Sequence, residues 1–140
     1  IRDSYKPLPE IFERHQDMPF QVFTNGSLID EKMARRLAEL GNVAPMISLG
    51  GFEAETDARR GKGAFERAAR AMDNLREAGC IFGFSVMVTR NNVDVVTSEE
   101  FIDFLVEKGI LSPSYSAWLP DVLLTMAGWW LWRRRQGVAR

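Results

Sequence analysis

Polar side chains and glycines follow three short apolar segments of the chain, each at the point where the segment ends. Thr24-Asn25-Gly26 follows the first segment, Ser48 and Gly50-Gly51 close the second, and Thr89-Arg90-Asn91-Asn92 follows the third. Hydroxyls, amides, one cation and glycines that allow close backbone approach suit the binding of a polar small molecule. The alternative is that these residues only form turns and helix caps, for which Asn, Ser, Thr and Gly are the usual choices.

The segments around these residues alternate between strand and helix signals. Apolar, β-branched or aromatic runs predict strands, and apolar residues at helical spacing followed by glycine predict helices. The predicted elements are, in chain order, a helix at about Pro9–His15, a strand at Phe20–Thr24, a helix capped by Ser27 or Asp30 and ended by Gly41, a strand at Pro45–Leu49, a polar loop over Glu53–Lys62, a helix at about Ala64–Ala78, a strand at Ile81–Val88, and a helix capped by Thr97 and ended by Gly109.

This order predicts an α/β fold with three parallel strands joined by helical crossovers. Two architectures fit the order: a small doubly wound sheet, or an arc cut from a β/α barrel. In both, ligands bind at the carboxyl ends of the strands. We therefore expect the polar residues above to meet at one rim, and Asn25, Ser48 and Arg90 are the residues on which this expectation depends.

Composition excludes several function classes. The 140 residues are 46% hydrophobic and 26% charged, near the globular average, and they are too few for a complete eight-unit barrel of roughly 250 residues. The net charge of −1 predicts no binding of nucleic acid. No apolar run reaches the length of a membrane span, and the first residues carry no signal-peptide core, so we expect a cytoplasmic protein without membrane contact.

The alternation breaks after Gly109, and we place a boundary between an α/β domain over 1–110 and a tail over 111–140. Ser112-Pro113-Ser114 predicts a turn, and Asp121 is a candidate cap for a helix over Val122–Arg135. That segment is rich in Trp and Arg, and packing or disorder is favoured for it over contact with a membrane surface.

The remaining candidates for chemistry have plainer interpretations. Cys80, the only cysteine, is interpreted as a small buried residue, and His15 lacks further ligands for a metal site. Gly61-Lys62-Gly63 lacks the full phosphate-loop pattern and is interpreted as the entry to a helix. The three carboxylates within Glu53–Asp57 are either a general acid–base group or, more simply, part of a solvated loop.

Four segments, in order along the chain, resemble motifs of the radical S-adenosylmethionine enzymes. Phe23–Ile29 resembles the TNG(T/S)-L-I segment of that family, and Ile47–Phe52 resembles its I-S-L-(D/E)-G segment. Thr56–Phe65 resembles the D-x-x-R…GxG-(S/T)-F stretch that follows, and Phe84–Asn92 resembles the V-T-x-x-N strand end. The resemblance runs from about residue 5 to residue 109 and rests on four motifs in register.

The resemblance implies a partial β/α barrel, of which this chain is the central part. It also implies two cofactors, S-adenosylmethionine and a [4Fe–4S] cluster that reductively cleaves it to a 5′-deoxyadenosyl radical. The residues that the resemblance assigns to S-adenosylmethionine are Thr24, Asn25, Ser48, Arg60, Thr89 and Arg90, with Arg60 the candidate for its carboxylate.

Two departures from the family pattern bear on activity. The family holds its cluster with three cysteines in a C-x₃-C-x₂-C loop, and Cys80 alone cannot replace them. Gly50 stands where the family usually has an acidic residue, which brings the contact with the ribose into question. We therefore expect a fragment or relative of such an enzyme that is not catalytic as this chain alone, and we assign no catalytic or metal-ligating residue.

The partner expected for such a chain is either the missing part of the barrel or a second copy of itself. A different class of function is also open: a non-catalytic interaction module that associates through an open sheet edge and the Trp-rich tail. Unpaired strand edges promote association of this kind.

Overall fold

Strands and helices alternate along the chain and build one parallel sheet. The computed structural model describes the backbone of residues 8–110 and 112–117 and the side chains of residues 9–110. The elements are α1 (Leu8–Arg14), β1 (Phe20–Thr24), α2 (Glu31–Leu40), β2 (Val43–Leu49), α3 (Glu53–Arg60), α4 (Ala64–Glu77), β3 (Gly83–Val88), α5 (Val93–Val96), α6 (Glu99–Glu107) and β4 (Ser112–Ala117). The strand order is β1-β2-β3-β4, and every neighbouring pair is parallel. The predicted α/β class with three parallel strands is confirmed, and a fourth strand extends the sheet.

The register of the strands decides which side chains share a face. Ile47 pairs with Phe84, and Ser48 pairs with Ser85. Because successive side chains on a strand point to opposite faces, Ile47 and Phe84 lie on one face while the two serines lie on the other. Ile47 and Phe84 belong to the core, so the serine face is the one turned away from the helices.

The apolar core lies between the sheet and the helix layer. Five residues of α4 are buried, and four of them lie at the i, i+3, i+4, i+7 spacing of one helix face. These four are Ala68, Ala71, Met72 and Leu75, and the fifth is Ala64 at the start of the helix. Cys80 is buried in the same core, as the sequence predicted, and burial raises the pKa of its thiol to about 11.

Helix ends follow the predicted capping residues at α2 and differ by one residue at α6. At α2 the Asp30 carboxylate accepts from the Met33 N–H at 2.8 Å, and Gly41 ends the helix in the left-handed conformation at φ 69°. The prediction that Thr97 is the N-cap of α6 is wrong. Ser98 accepts from the Phe101 N–H, while the Thr97 hydroxyl donates to Val93 O and so belongs to the end of α5.

The predicted polar loop over Glu53–Lys62 is wrong, because most of it forms α3. This helix lacks an apolar stripe, and its one buried residue is Thr56. The Thr56 hydroxyl accepts from Gly50 N–H at 3.0 Å and donates to Gly51 O at 2.9 Å. The Thr56 hydroxyl therefore holds α3 against the loop after β2. The sequence of α3 has no apolar stripe from which a helix could be predicted.

The predicted turn at Ser112-Pro113-Ser114 is also wrong, because these residues begin β4, in which Pro113 pairs with Phe84. β4 is an edge strand of the described sheet, and a proline without an N–H is tolerated at such an edge. The third strand begins at Gly83 rather than Ile81, and Ile81 is 62% exposed.

Within the described ranges no helix combines the length and apolar character that crossing a membrane requires. The predicted helix over Val122–Arg135 and its Trp-rich segment lie outside the described residues. The boundary near residue 111 stays a prediction.

Candidate functional site

A cavity of about 270 Å³ lies at the carboxyl ends of β1 and β2 and is lined by Asn25, Ser48, Arg60, Ala64 and Arg67. Asn25 directly follows β1, and Ser48 is the next-to-last residue of β2. Arg60 is the last residue of α3, and the other two lie in the first turns of α4. Three of the six residues assigned from the sequence, Asn25, Ser48 and Arg60, therefore meet at one site.

The walls of this cavity present polar groups that other residues do not use. The Asn25 side chain accepts from Ser27 N–H through Oδ1 at 3.0 Å, and this leaves its NH₂ group available. Across residues 9–110, the Ser48 hydroxyl has no hydrogen-bond partner, and Arg60 has neither a hydrogen-bond nor an ion-pair partner. One amide, one hydroxyl and one guanidinium thus remain free to bind a ligand that carries oxygen acceptors.

The electrostatic character of the cavity is positive. Desolvation, followed by the charge of Arg59, lowers the pKa of Arg60, and an arginine nevertheless stays protonated in a protein. Arg67 adds a second guanidinium, whose Nη1 donates to Lys62 O at 3.4 Å. Two cations beside an amide and a hydroxyl favour a carboxylate or another anion. Sequence reasoning missed Arg67 because nothing in its surroundings distinguishes it from an exposed helix residue.

The other three predicted residues do not line this cavity. The Thr24 hydroxyl accepts from Gly26 N–H at 3.2 Å. Thr24 lines an adjoining apolar cavity on the helix side of the sheet, which shares Asn25 and Arg67 with this one. The Thr89 hydroxyl donates to Asn92 Oδ1 at 3.0 Å. Arg90 follows the carboxyl end of β3, at the same end of the sheet as the cavity, and is exposed. The geometry therefore favours a turn role for Thr24 and Thr89.

Close contacts with neighbouring helices explain why two positions at this end of the sheet are glycine. A Cβ on Gly26 would lie 2.8 Å from Ala71 Cβ of α4, and a Cβ on Gly50 would lie 2.9 Å from Glu55 O of α3. Real Cβ atoms do not approach other atoms this closely, so both loops need glycine to pack against their helices. The departure at Gly50 thus has a structural cause: α3 occupies the space that an acidic side chain there would need.

Asn92, one of the polar residues at the end of the third strand that was not assigned to the cofactor, is buried. It is 6% exposed and joins the loop after β3 to the loop after β2. The signal that was available is its place as the last residue of the V-T-x-x-N strand end.

One of the three carboxylates within Glu53–Asp57 holds the start of the next helix. Asp57 accepts from Phe65 N–H at 2.9 Å and from Gly63 N–H at 2.5 Å, and these backbone bonds lower the pKa of its carboxyl. Asp57 therefore holds the entry to α4, in keeping with the interpretation of Gly61-Lys62-Gly63 as a helix entry. Glu55 Oε2 is buried without a partner among the described side chains.

The residues present do not fit the iron–sulfur cluster that the resemblance implies. Cys80 is the only thiol, its pKa is raised, and it precedes β3, at the end of the strands opposite to the cavity. No group of three or more His, Cys, Asp or Glu residues suited to a metal ion occurs in the part of the chain that the structure describes.

Comparison with known proteins identifies relatives over most of the chain. The Radical SAM superfamily pattern matches residues 2–105. The chain is 49% identical over 96 residues to the mycofactocin maturase MftC of Mycolicibacterium smegmatis, covering 67% of this chain and 24% of that protein. It is 38% identical over 91 residues to the Fe-coproporphyrin III synthase of Methanosarcina barkeri, covering 63% of this chain and 23% of the synthase.

Solved structures show the same fold at lower identity. Streptococcus suis SuiB bound to S-adenosylmethionine superposes with a TM-score of 0.71 at 14% identity, over 95% of this chain and 35% of SuiB. The anSMEcpe structure with bound AdoMet superposes with a TM-score of 0.65 at 21% identity, over 85% of this chain and 34% of that protein. This chain spans about a quarter of the curated relatives and about a third of these structures.

Proposed function

Because the chain belongs to the radical SAM superfamily, we propose that its strand-end cavity binds S-adenosylmethionine. Family members use this cofactor with a [4Fe–4S] cluster, and reductive cleavage of the bound cofactor supplies a radical that abstracts hydrogen from a substrate. This chain contributes binding and orientation, and the cluster comes from another part of the barrel. The activity, its substrate and a cytoplasmic location are parts of the proposal.

One observation supports the binding role above all others. Asn25, Ser48 and Arg60 come from the loop after β1, from β2 and from α3, and each presents an unused polar group to the same cavity. The α-carboxylate of S-adenosylmethionine suits Arg60, and its other polar groups suit the hydroxyl and the amide.

Calorimetric titration of the chain with S-adenosylmethionine tests the binding role. Replacing Arg60 with Ala removes a charge-assisted hydrogen bond, and we expect the Kd to rise about 10- to 150-fold. Arg35→Ala is the matched control, because it removes the same charge from α2, where Arg35 pairs with exposed Glu31. An equal loss of affinity in both variants would show that general electrostatics, rather than a site at Arg60, attracts the ligand.

Anaerobic iron–sulfur reconstitution tests the division of labour. We expect the chain alone to take up no [4Fe–4S] spectrum and to release no 5′-deoxyadenosine in the presence of a reductant, because a cluster needs about three or four thiolates. Formation of both by this chain alone would contradict the proposal that the cluster comes from elsewhere.

A second candidate function is association through the outer edge of β1. No other described strand pairs with this edge. An apolar cavity of about 520 Å³ lies on the helix side of β1 and β2, lined in part by Phe12, Val22 and Leu28. The partner is a further part of the barrel or a second copy. Light scattering distinguishes this function, since a monomer at all concentrations would argue against self-association.

A further inference from the structure

The loop that follows Ser48 is held on one side by α3. Gly50 N–H donates to the Thr56 hydroxyl, which in turn donates to Gly51 O, and Thr56 is fully buried. The backbone of α3 lies so close that no side chain fits at Gly50. The loop is thus fixed relative to α3, and the remaining question is what fixes it relative to β3.

Asn92 makes that second connection. Its Nδ2 donates to Gly50 O at 2.6 Å and to Met87 O at 3.0 Å. Its Oδ1 accepts from the N–H of Thr89 at 2.6 Å and from the hydroxyl of Thr89 at 3.0 Å. One side chain therefore joins residues 42 positions apart in sequence, at the point where β2 and β3 end.

The same geometry excludes a direct role in ligand binding. The Asn92 side chain is almost fully buried, and its amide already makes two donor and two acceptor bonds. This is the full capacity of an amide group. Asn92 is also absent from the lining of the cavity that contains Ser48.

We propose that Asn92 is a positioning residue, which locks the loop after β2 to the end of β3 and so fixes Ser48 at the cavity. This inference rests on the proposed function, because the ligand whose affinity depends on the lock is S-adenosylmethionine. Without Asn92, Gly50 O and Met87 O lose their donor, and buried carbonyls without partners favour a rearranged loop. Pre-organisation of the site, rather than a contact, is what the ligand then loses.

A matched pair of variants tests this role. Asn92→Asp keeps the shape of the side chain and replaces its two donors with an acceptor. Asn42→Asp makes the same change at a site after α2, where Asn42 Nδ2 donates to the carbonyls of Phe12, His15 and Met18. Asn42 lies at the amino ends of the strands, away from the cavity, and its bonds are part-buried or exposed. Both variants therefore lose bonds from a side-chain amide to backbone carbonyls, and only one of them disturbs the rim. Asn92→Ala is made in parallel, because it removes the donors without adding a charge.

The expected result is a rise of about tenfold or more in the Kd for S-adenosylmethionine with Asn92→Asp and Asn92→Ala. Asn42→Asp should keep the wild-type Kd even though its melting temperature falls, with all titrations made where each variant is fully folded. Equal affinities of the Asn92 and Asn42 variants would overturn the proposal, since a merely structural role predicts no difference.

Amide NMR provides a readout that does not need the ligand. We expect the Ser48 and Gly50 resonances to shift, and Gly50 N–H to exchange faster, in the Asn92 variants but not in Asn42→Asp. If wild type fails to bind S-adenosylmethionine, the proposed function fails while these spectra still decide whether Asn92 positions the loop. Changes confined to Thr89 and Asn92 themselves would refute the positioning role.

Discussion

Replacing Gly50 with Ala is expected to destabilise the fold, although the backbone at this position does not require glycine for its φ angle. Gly50 is not among the described glycines with positive φ, so an added methyl group introduces no backbone strain. Its Cβ would lie 2.9 Å from Glu55 O, 3.1 Å from Thr56 Cα and 3.2 Å from Glu55 C. All three are backbone atoms of α3, which cannot rotate away as a side chain can.

The direction of the change in stability distinguishes a clash with α3 from an uncrowded position. A Gly→Ala change at a permissive, uncrowded position stabilises a protein by about 0.4–1 kcal/mol through the unfolded state. Overpacking costs about 1–3 kcal/mol, so we expect the net free energy of unfolding to fall. After the unfolded-state gain is subtracted, the net loss is at most about 2.6 kcal/mol. At roughly 4 °C per kcal/mol, the melting temperature falls by up to about 10 °C. A thermal melt that shows Gly50→Ala to be neutral or more stable would refute the close packing of α3 against this loop.

Three further predictions concern the core and the helix ends. Phe101 is fully buried against Phe52 and Phe84. Changing it to Ala should lower the free energy of unfolding, measured with urea, by about 3–5 kcal/mol. A loss below about 1 kcal/mol would contradict its place in the core. Because the pKa of Cys80 is raised to about 11, its thiol should react with a disulfide reagent at pH 8 only after unfolding, and prompt reaction of the folded chain would argue against burial. Hydrogen bonds from the backbone of Phe65 and Gly63 lower the pKa of Asp57. Its contribution to stability is therefore present above its ordinary pKa of 3.8 and is lost as the pH falls through the folded-state pKa. In Asp57→Asn the melting temperature should depend less on pH between about pH 5 and 2, and an unchanged dependence on pH would contradict this.

The strands and most helices were predictable because their signals are local. Val43–Leu49 and Gly83–Val88 are apolar runs next to glycines, and the α4 stripe repeats at helical spacing. The helix α3 was not predictable in this way, since a hydroxyl bonding to the loop before it takes the place of an apolar face. Likewise β4 has turn-forming residues, and only its pairing with β3 makes it a strand.

The candidate site was predictable as far as parallel strands bring their carboxyl ends together. This rule led from the sequence to Asn25 and Ser48, and the resemblance added Arg60, which comes from a helix end. It could not show that Thr89 bonds to Asn92 rather than to a ligand, because that choice depends on side-chain geometry within the loop. The role of Asn92 was hidden for a related reason, as its partner Gly50 is distant in sequence.

The central claim is that one cavity at the strand ends binds S-adenosylmethionine. Titrating the isotopically labelled chain with S-adenosylmethionine while following its amide resonances tests this claim most directly. We expect shifts concentrated at Asn25, Ser48, Ala64 and Arg67, which line the cavity. Val43 and Ile81, at the opposite ends of the strands, should not shift. Shifts centred on that opposite end, or no shifts at saturating ligand, would contradict it.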